Sequence, residues 1–218
     1  MRLLKKSNHY IYQILLTICI LLLFPILSLK FTLNFKPLYY SDVVSLNISQ
    51  ISNLDTNEIK LNYDYIINYL QNPNNKEFEL PTLHYSDKGK IHFEEVKSIF
   101  NKLNFIFYIL IFIILITLSL NWKSMNFSFF KWSSIYLLFI PLTLLLAFLI
   151  NFDKSFTFFH KIFFNNDYWL LDPKTDPIIN ILPQEFFFHC GIIIVFLMFI
   201  WSFILYFVYR KLTNYFSF

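Results

Sequence analysis

Four stretches of this chain, 10–29, 103–120, 132–150 and 186–209, contain no Asp, Glu, Lys or Arg. Each is about as long as a helix must be to cross roughly 30 Å of hydrocarbon. Inside a bilayer a lone segment can satisfy its backbone groups only as a helix, so these stretches leave little choice of architecture. Composition agrees: 56% of residues are hydrophobic, 29 are Phe and 15% are charged, too apolar for an ordinary soluble domain. The expected fold class is an all-α membrane protein with four transmembrane helices. A small, mainly helical extracellular cap would be formed by two outer segments, 30–102 and 151–185. The whole of 1–218 is read as a single membrane domain.

The first stretch is too long for the apolar core of a signal peptide, and no small-x-small cleavage site follows it, so it is read as a retained anchor. Ile18 before Cys19 also departs from a lipoprotein-type cleavage site. Orientation follows from the flanking charges, because Lys and Arg are retained on the cytoplasmic side. The N-terminus carries Arg2, Lys5 and Lys6, the middle loop Lys123 and Lys131, and the C-terminus Arg210 and Lys211, with no acid among them. All 14 acids fall in the two outer segments. Both termini are therefore expected on the cytoplasmic side, and the two outer segments, with any active site they hold, at the outer face of the membrane. The net charge of +4 is a topogenic signal and points to no nucleic-acid partner.

Cys19 lies within the first span and Cys190 near the outer end of the fourth, so neither a disulfide framework nor a pair between them is expected. His189 beside Cys190 makes no nucleophile pair, since helix neighbours one apart point in different directions. Gly89 and Gly191 are the only glycines. No phosphate-cradling loop, GxGxxG turn or GxSxG nucleophile elbow can be written with two, which removes nucleotide-dependent and serine-hydrolase chemistry and any nucleotide cofactor.

Within 30–102, Asp55-Thr56-Asn57-Glu58 reads as an N-cap with an acid at the third helical position. Ile59, Tyr63, Ile66, Ile67 and Leu70 follow at helical spacing, and the pattern ends before Asn72-Pro73. From His92 onward, Glu95, Val96 and Ile99 continue a helical pattern that meets no breaker before the second span. In the other outer segment Phe156, Phe159, His160, Phe163 and Phe164 recur at three and four. A short helix on the membrane surface, with His160 on its apolar face, is expected to end near Asn165-Asn166. Asp176-Pro177 carries the signature of a further N-cap with proline at the first helical position, and Pro183 opens the helix that becomes the fourth span. His92 and His160 thus come to the same layer, the boundary between cap and bilayer, from distant parts of the chain.

Bilayer physics does not ask for His160, Asp167, Trp169, Asp172 and Asp176 packed among aromatics between the last two spans. Each has a bland reading. His160 can be an interfacial ring that wets one nitrogen, and His92 a surface helix residue. Trp169 alone would be a belt aromatic, and Asp172 and Asp176, each followed by Pro, are ordinary turn and cap residues.

Taken together, Phe159-His160, Phe163-Phe164, Asn166-Asp167, Trp169, Asp172, Asp176, Ile179, Leu182-Pro183 and Phe187, with His92-x-x-Glu95-Val96-Lys97 upstream, resemble the lipoprotein intramolecular transacylases, Lit, a family of bacterial four-helix membrane proteins. One departure is visible: Glu95 stands where the family pattern has Asp. The resemblance implies transfer of one acyl chain within a single diacylglyceryl-modified lipoprotein, from the sn-2 oxygen of the S-glyceryl group to the α-amino group of the N-terminal cysteine. It implies catalysis by His92 and His160, with the substrate and membrane lipid as partners and neither cofactor nor metal.

The residue types suit that chemistry. An α-amino group near pKa 8 must shed a proton to attack an ester, and an imidazole near 6.5 is suited to take it and later return it to the departing oxygen. Nucleophile and ester share one molecule, so confinement supplies orientation worth on the order of several kcal/mol. Glu95, Asp167 or Asp172 could orient an imidazole, and Asn166 or a backbone amide could support the oxyanion. Two other classes remain open on the residues alone: a zinc hydrolase using His84, His92, His160 and an outer Asp, and a non-catalytic membrane scaffold.

Overall fold

The structure, a computed structural model, describes residues 2–121 and 126–215. Lys123, part of the orientation argument, lies outside them, as do the side chains of Arg2, Lys5, Lys6 and His9. The described residues form nine helices and no strand. Four of these helices are long and apolar enough to cross a membrane: α1 over Tyr10–Asn34, α5 over Asp87–Leu120, α6 over Ser128–Ile150 and α9 over Gln184–Tyr215. The expected spans fall inside all four. The α-helices themselves are α1 Arg2–Asn34, α2 Lys36–Ser45, α3 Ile48–Ser52, α4 Thr56–Gln71, α5 Asp87–Asn121, α6 Ser128–Ile150, α7 Phe152–Phe163, α8 Ile178–Ile181 and α9 Gln184–Tyr215.

The residues group into two compact units. The first comprises Met1–Lys30, Phe105–Leu146 and Ile193–Phe218. Its core packs Leu16 and Ile20 with Phe127, Phe129, Leu137, Met198 and Leu205. Apolar burial does not hold helices together in lipid, where the solvent is equally apolar, so polar contacts between segments matter more. Gln13 donates to the Asn126 carbonyl at 2.6 Å and accepts from the Phe129 N–H at 2.8 Å, and Ser202 donates to the Ser134 carbonyl at 2.6 Å. Phe105, Tyr108, Phe112, Phe203 and Phe207 turn outward, as lipid-facing residues do.

The second unit comprises Phe31–Asn104 and Ala147–Ile192. Its core gathers Tyr39, Val43, Ile59, Tyr63, Ile66, Phe78, Phe93, Ile178, Ile181 and Phe186. Tyr39 stacks on Tyr63 with centroids 3.6 Å apart and donates its hydroxyl proton to the Ile181 carbonyl at 2.7 Å. The α4 helix starts where Asp55 accepts from the Asn57 N–H and stops at Asn72, as the sequence pattern predicts. Lys97, buried on α5, holds the end of α4 by donating to the carbonyls of Asn72 and Asn75, with Tyr69 beneath its ammonium. Helices α2 and α3 were not legible in the apolar spacing. Their joints are Asn47 and Asn53, both left-handed at φ 52° and 56°, a conformation Asn tolerates better than most residues.

Asp176 does something the sequence reading did not foresee. It does not cap the short helix that follows it: α8 has no side-chain cap, and only the Asp176 backbone carbonyl takes the Ile179 N–H. Its carboxyl, 2% exposed, reaches the start of α5 instead, accepting from the Ser86 N–H and Ser86 hydroxyl at 2.8 Å each and from the Thr175 hydroxyl at 2.7 Å. Ser86 Oγ in turn accepts from the Gly89 N–H at 3.0 Å, an N-cap for α5. The carboxyl fits because residue 89 has no side chain; a Cβ there would stand 2.1 Å from Asp176 Oδ1.

Gly89→Ala should therefore destabilise the protein. Alanine gains up to about 1 kcal/mol of helix propensity, but displacing a buried carboxyl from its donors costs more, about 1–3 kcal/mol for each unsatisfied group. Thermal unfolding in detergent should show a lower midpoint for the variant, and an unchanged or raised midpoint would contradict this account of the α5 start.

Candidate active site

Helix α5 presents His92 six residues after the Ser86 cap, and α7 presents His160. Helix α7 begins where Asn151 accepts from the Lys154 N–H. It buries His160 while exposing Phe158, Phe159, Ile162 and Phe163, the pattern of a helix lying along an apolar boundary. It ends at Phe163, one turn from the asparagine pair. The two imidazole centroids are 6.1 Å apart, and each histidine is 8% exposed.

Aromatic rings make up the walls. Phe164 stands against both histidines, 4.9 Å from His92 and 5.7 Å from His160. Phe156 is 4.2 Å from His160, and the Trp169 indole stacks on it at 4.6 Å and 28°. In so apolar a place an unsatisfied polar group is costly and a charge more so.

His160 Nδ1 lies 2.7 Å from the Phe156 carbonyl. A carbonyl only accepts, so Nδ1 carries the proton and the Nε2 lone pair is left free to act as a base. Burial holds the His160 pKa below the ordinary histidine value, and the Phe156 bond offsets part of that fall. His92 differs: its Nδ1 is buried and has no hydrogen-bond partner. Phe156 sits four residues before His160, so helical spacing alone could have suggested the carbonyl contact. Nothing local in the sequence announces that Phe164 packs against both histidines.

The other candidate residues are placed unequally. Glu95, one helical turn after His92, accepts from Asn166 Nδ2 at 2.8 Å through Oε1, and its Oε2 is buried without a partner. Asn166 Oδ1 accepts from the Tyr168 N–H at 3.0 Å, fixing the turn that leads to Trp169. Trp169 Nε1 is likewise buried and unpartnered. Asp167 and Asp172 are exposed, and Asp172 closes a turn by accepting from the Lys174 N–H at 2.9 Å. Among the described residues no carboxylate pairs with His92 or His160; the orienting group of His160 is a backbone carbonyl.

His84, the third candidate zinc ligand, donates through Nε2 to the Lys174 carbonyl. Among the described residues no three of His, Cys, Asp and Glu stand close enough to share a metal ion. His189 is paired with buried Asp42, Nδ1 to Oδ2 at 2.9 Å, a tie between α2 and α9.

Comparison with known proteins identifies the family of the chain. The family model for lipoprotein intramolecular transacylase Lit matches residues 14–187. Among solved structures, the membrane-integral lipoprotein intramolecular transacylase Lit from Bacillus cereus is 36% identical, covering 96% of this chain and 97% of that one, with a TM-score of 0.92. Two further structures of the Bacillus cereus protein, one with a histidine replaced by arginine and one with a histidine replaced by alanine, are each 35% identical with a TM-score of 0.87. The arginine variant covers 97% of this chain and 94% of that one, and the alanine variant 98% of both. No curated protein sequence matches. With a model match over most of its length and a relative of this similarity, the chain belongs to the lipoprotein intramolecular transacylase (Lit) family.

Proposed function

We propose that this protein catalyses an intramolecular transacylation on a bacterial lipoprotein, moving an acyl chain from the sn-2 oxygen of the S-glyceryl group to the α-amino group of the N-terminal cysteine. The observation that carries this reading is the pair of neutral-favouring, buried imidazoles 6.1 Å apart within aromatic walls. That spacing leaves room for about one reacting group between them.

The α-amino nitrogen attacks the ester carbonyl carbon, forming the C–N bond while the carbonyl π pair moves onto oxygen. His160 Nε2, free because Nδ1–H is held by Phe156, takes the proton the nitrogen sheds. The tetrahedral intermediate then collapses, the carbon–glyceryl oxygen bond breaks, and the departing oxygen receives that proton by way of His92. Both imidazoles end the cycle neutral, and no water, second donor or external acceptor enters. Walls of Phe156, Phe164 and Trp169 exclude water, which suppresses ester hydrolysis and strengthens each remaining electrostatic contact. Glu95 and Asn166 hold the 166–169 turn against α5 and act as positioning residues, and Asp176 fixes the start of that helix. Asp167 and Asp172 shape the exposed turns on either side of Trp169.

The product is an isomer of the substrate. A diacylglyceryl lipoprotein incubated with the protein should keep the mass of its lipidated N-terminal peptide, while fragmentation shows one acyl chain moved from glycerol to nitrogen. His92→Ala and His160→Ala should each lose conversion by about 100-fold or more, and His84→Ala should keep most of it. Gain or loss of one acyl mass, or turnover by His160→Ala at the rate of the unaltered protein, would overturn the mechanism.

The pH argument has a definite sign. A base with a lowered pKa is neutral, and able to accept, above that pKa, and it loses the ability only as pH falls through it. Followed by NMR in detergent, the His160 ring should be neutral at pH 6.5 and gain its proton only at lower pH, below the ordinary midpoint of about 6.5. A midpoint at or above that value would remove the base assigned here.

The same reading places segments 30–102 and 151–185 at the outer face of the cytoplasmic membrane and both termini inside. Its support is the Lys/Arg bias of the remaining segments. With Cys19 and Cys190 replaced, a cysteine at Asn75 or Lys174 should react with an impermeant reagent on intact cells, and one at Met125 only after permeabilisation. Labelling at position 125 in intact cells refutes the orientation.

A further inference from the structure

We propose that the indole Nε1–H of Trp169 binds the ester carbonyl oxygen and stabilises it as it becomes an oxyanion, which makes Trp169 a catalytic residue. This rests on the transacylase reading above. Acyl transfer from oxygen to nitrogen places negative charge on the carbonyl oxygen, and a fixed donor in a water-poor site is the usual means of stabilising it.

Several neighbouring donors already have acceptors, and the mechanism above uses His92 as the proton carrier to the leaving oxygen. Asn166 donates one amide proton to Glu95 Oε1 and accepts from the Tyr168 N–H through Oδ1. His160 Nδ1–H is held by Phe156, and Lys97 donates to the carbonyls of Asn72 and Asn75. Trp169 Nε1–H is different: an indole nitrogen only donates, this one is buried, and it meets no acceptor. Trp201 also has a buried indole nitrogen without a partner, so burial alone decides nothing. What separates Trp169 is its stack on His160, centroids 4.6 Å apart. The indole plane is 28° from that of the imidazole, so an unpartnered N–H belongs to the same small site as the nitrogen that accepts the amine proton. There it meets the carbonyl oxygen of an ester attacked by that amine.

The electron movements fit. As the C–N bond forms, the π pair becomes the lone pair that accepts from Nε1–H. When the carbonyl reforms, the pair returns, the glyceryl oxygen leaves, and the indole keeps its proton throughout. The contact is stronger in the transition state than with the ground-state ester, so its loss should lower kcat and leave KM nearly unchanged.

Trp169→Phe removes the N–H and keeps an aromatic ring over His160. The test uses a diacylglyceryl-cysteine peptide and its analogue in which the sn-2 carbonyl oxygen is sulfur, a poor hydrogen-bond acceptor. Trp169→Phe should lower kcat on the oxygen ester by about 100- to 1000-fold, yet lower it much less on the thionoester. An equal loss on both substrates, or undiminished kcat on the oxygen ester, overturns the proposal. If the Phe variant unfolds, the tryptophan analogue with sulfur in place of N–H keeps both fused rings and gives the same comparison. Failure of the underlying reading is distinguishable, because the unaltered protein would then not isomerise the oxygen ester at all.

Discussion

The start of the helix that carries His92 is held by a carboxyl group far from it in sequence. Asp176, at the turn before α8, occupies the space that Gly89 leaves open and takes both protons Ser86 offers. That contact fixes where α5 begins, and therefore the height and rotation at which His92 emerges little more than a turn later. Because Asp176 lies seven residues beyond Trp169, the same contact ties the strip that stacks on His160 to the helix that carries His92. A buried polar group with several donors is costly to disturb, since removing one partner leaves a desolvated atom unpaired.

A second constraint is the poverty of polar groups around the reacting centre. Phe156, Phe159, Phe164 and Trp169 surround His160, so the few polar atoms left unpaired stand out: His92 Nδ1, Glu95 Oε2 and Trp169 Nε1. A soluble enzyme can satisfy such atoms with water. Under the proposed function, the partner for such atoms in a site lined by phenylalanine is the substrate, which offers an amine, an ester carbonyl and a glyceryl oxygen. The reaction asks for little more than proton transfer and orientation, because nucleophile and electrophile arrive on one molecule. On the proposed function, a chain with two glycines and no nucleophile elbow can therefore carry out acyl transfer.

Much of this was legible before any coordinates. The four spans show as charge-free windows because hydrocarbon tolerates no unpaired charge over their length. Helix α4 shows through its Asp55 cap and its apolar spacing, and α7 through phenylalanines at three and four. The two histidines were singled out because both arrive at the edge of the apolar layer. Helices α2 and α3, of ten and five residues, are too short to show a sustained helical stripe, and packing decides them: Tyr39 of α2 stacks on Tyr63, and α3 packs against α2 and α8.

What the sequence by itself determined is whatever depends on local or one-dimensional properties: the number of spans, their helical nature, the helix starts with an oxygen side chain at the cap, and the family motif containing His92 and His160. Only the tertiary structure decided which polar atoms meet. It sent Asp176 to Ser86 instead of to its own helix and gave His160 a backbone carbonyl in place of a carboxylate. It tied Asn166 to Glu95 and left the Trp169 indole without an acceptor. The physical reason is range. Helix formation and membrane crossing are read within a few neighbouring residues, whereas a hydrogen bond between residues 86 and 176, or a stack between 160 and 169, exists only after packing has fixed distances that no spacing in the chain encodes.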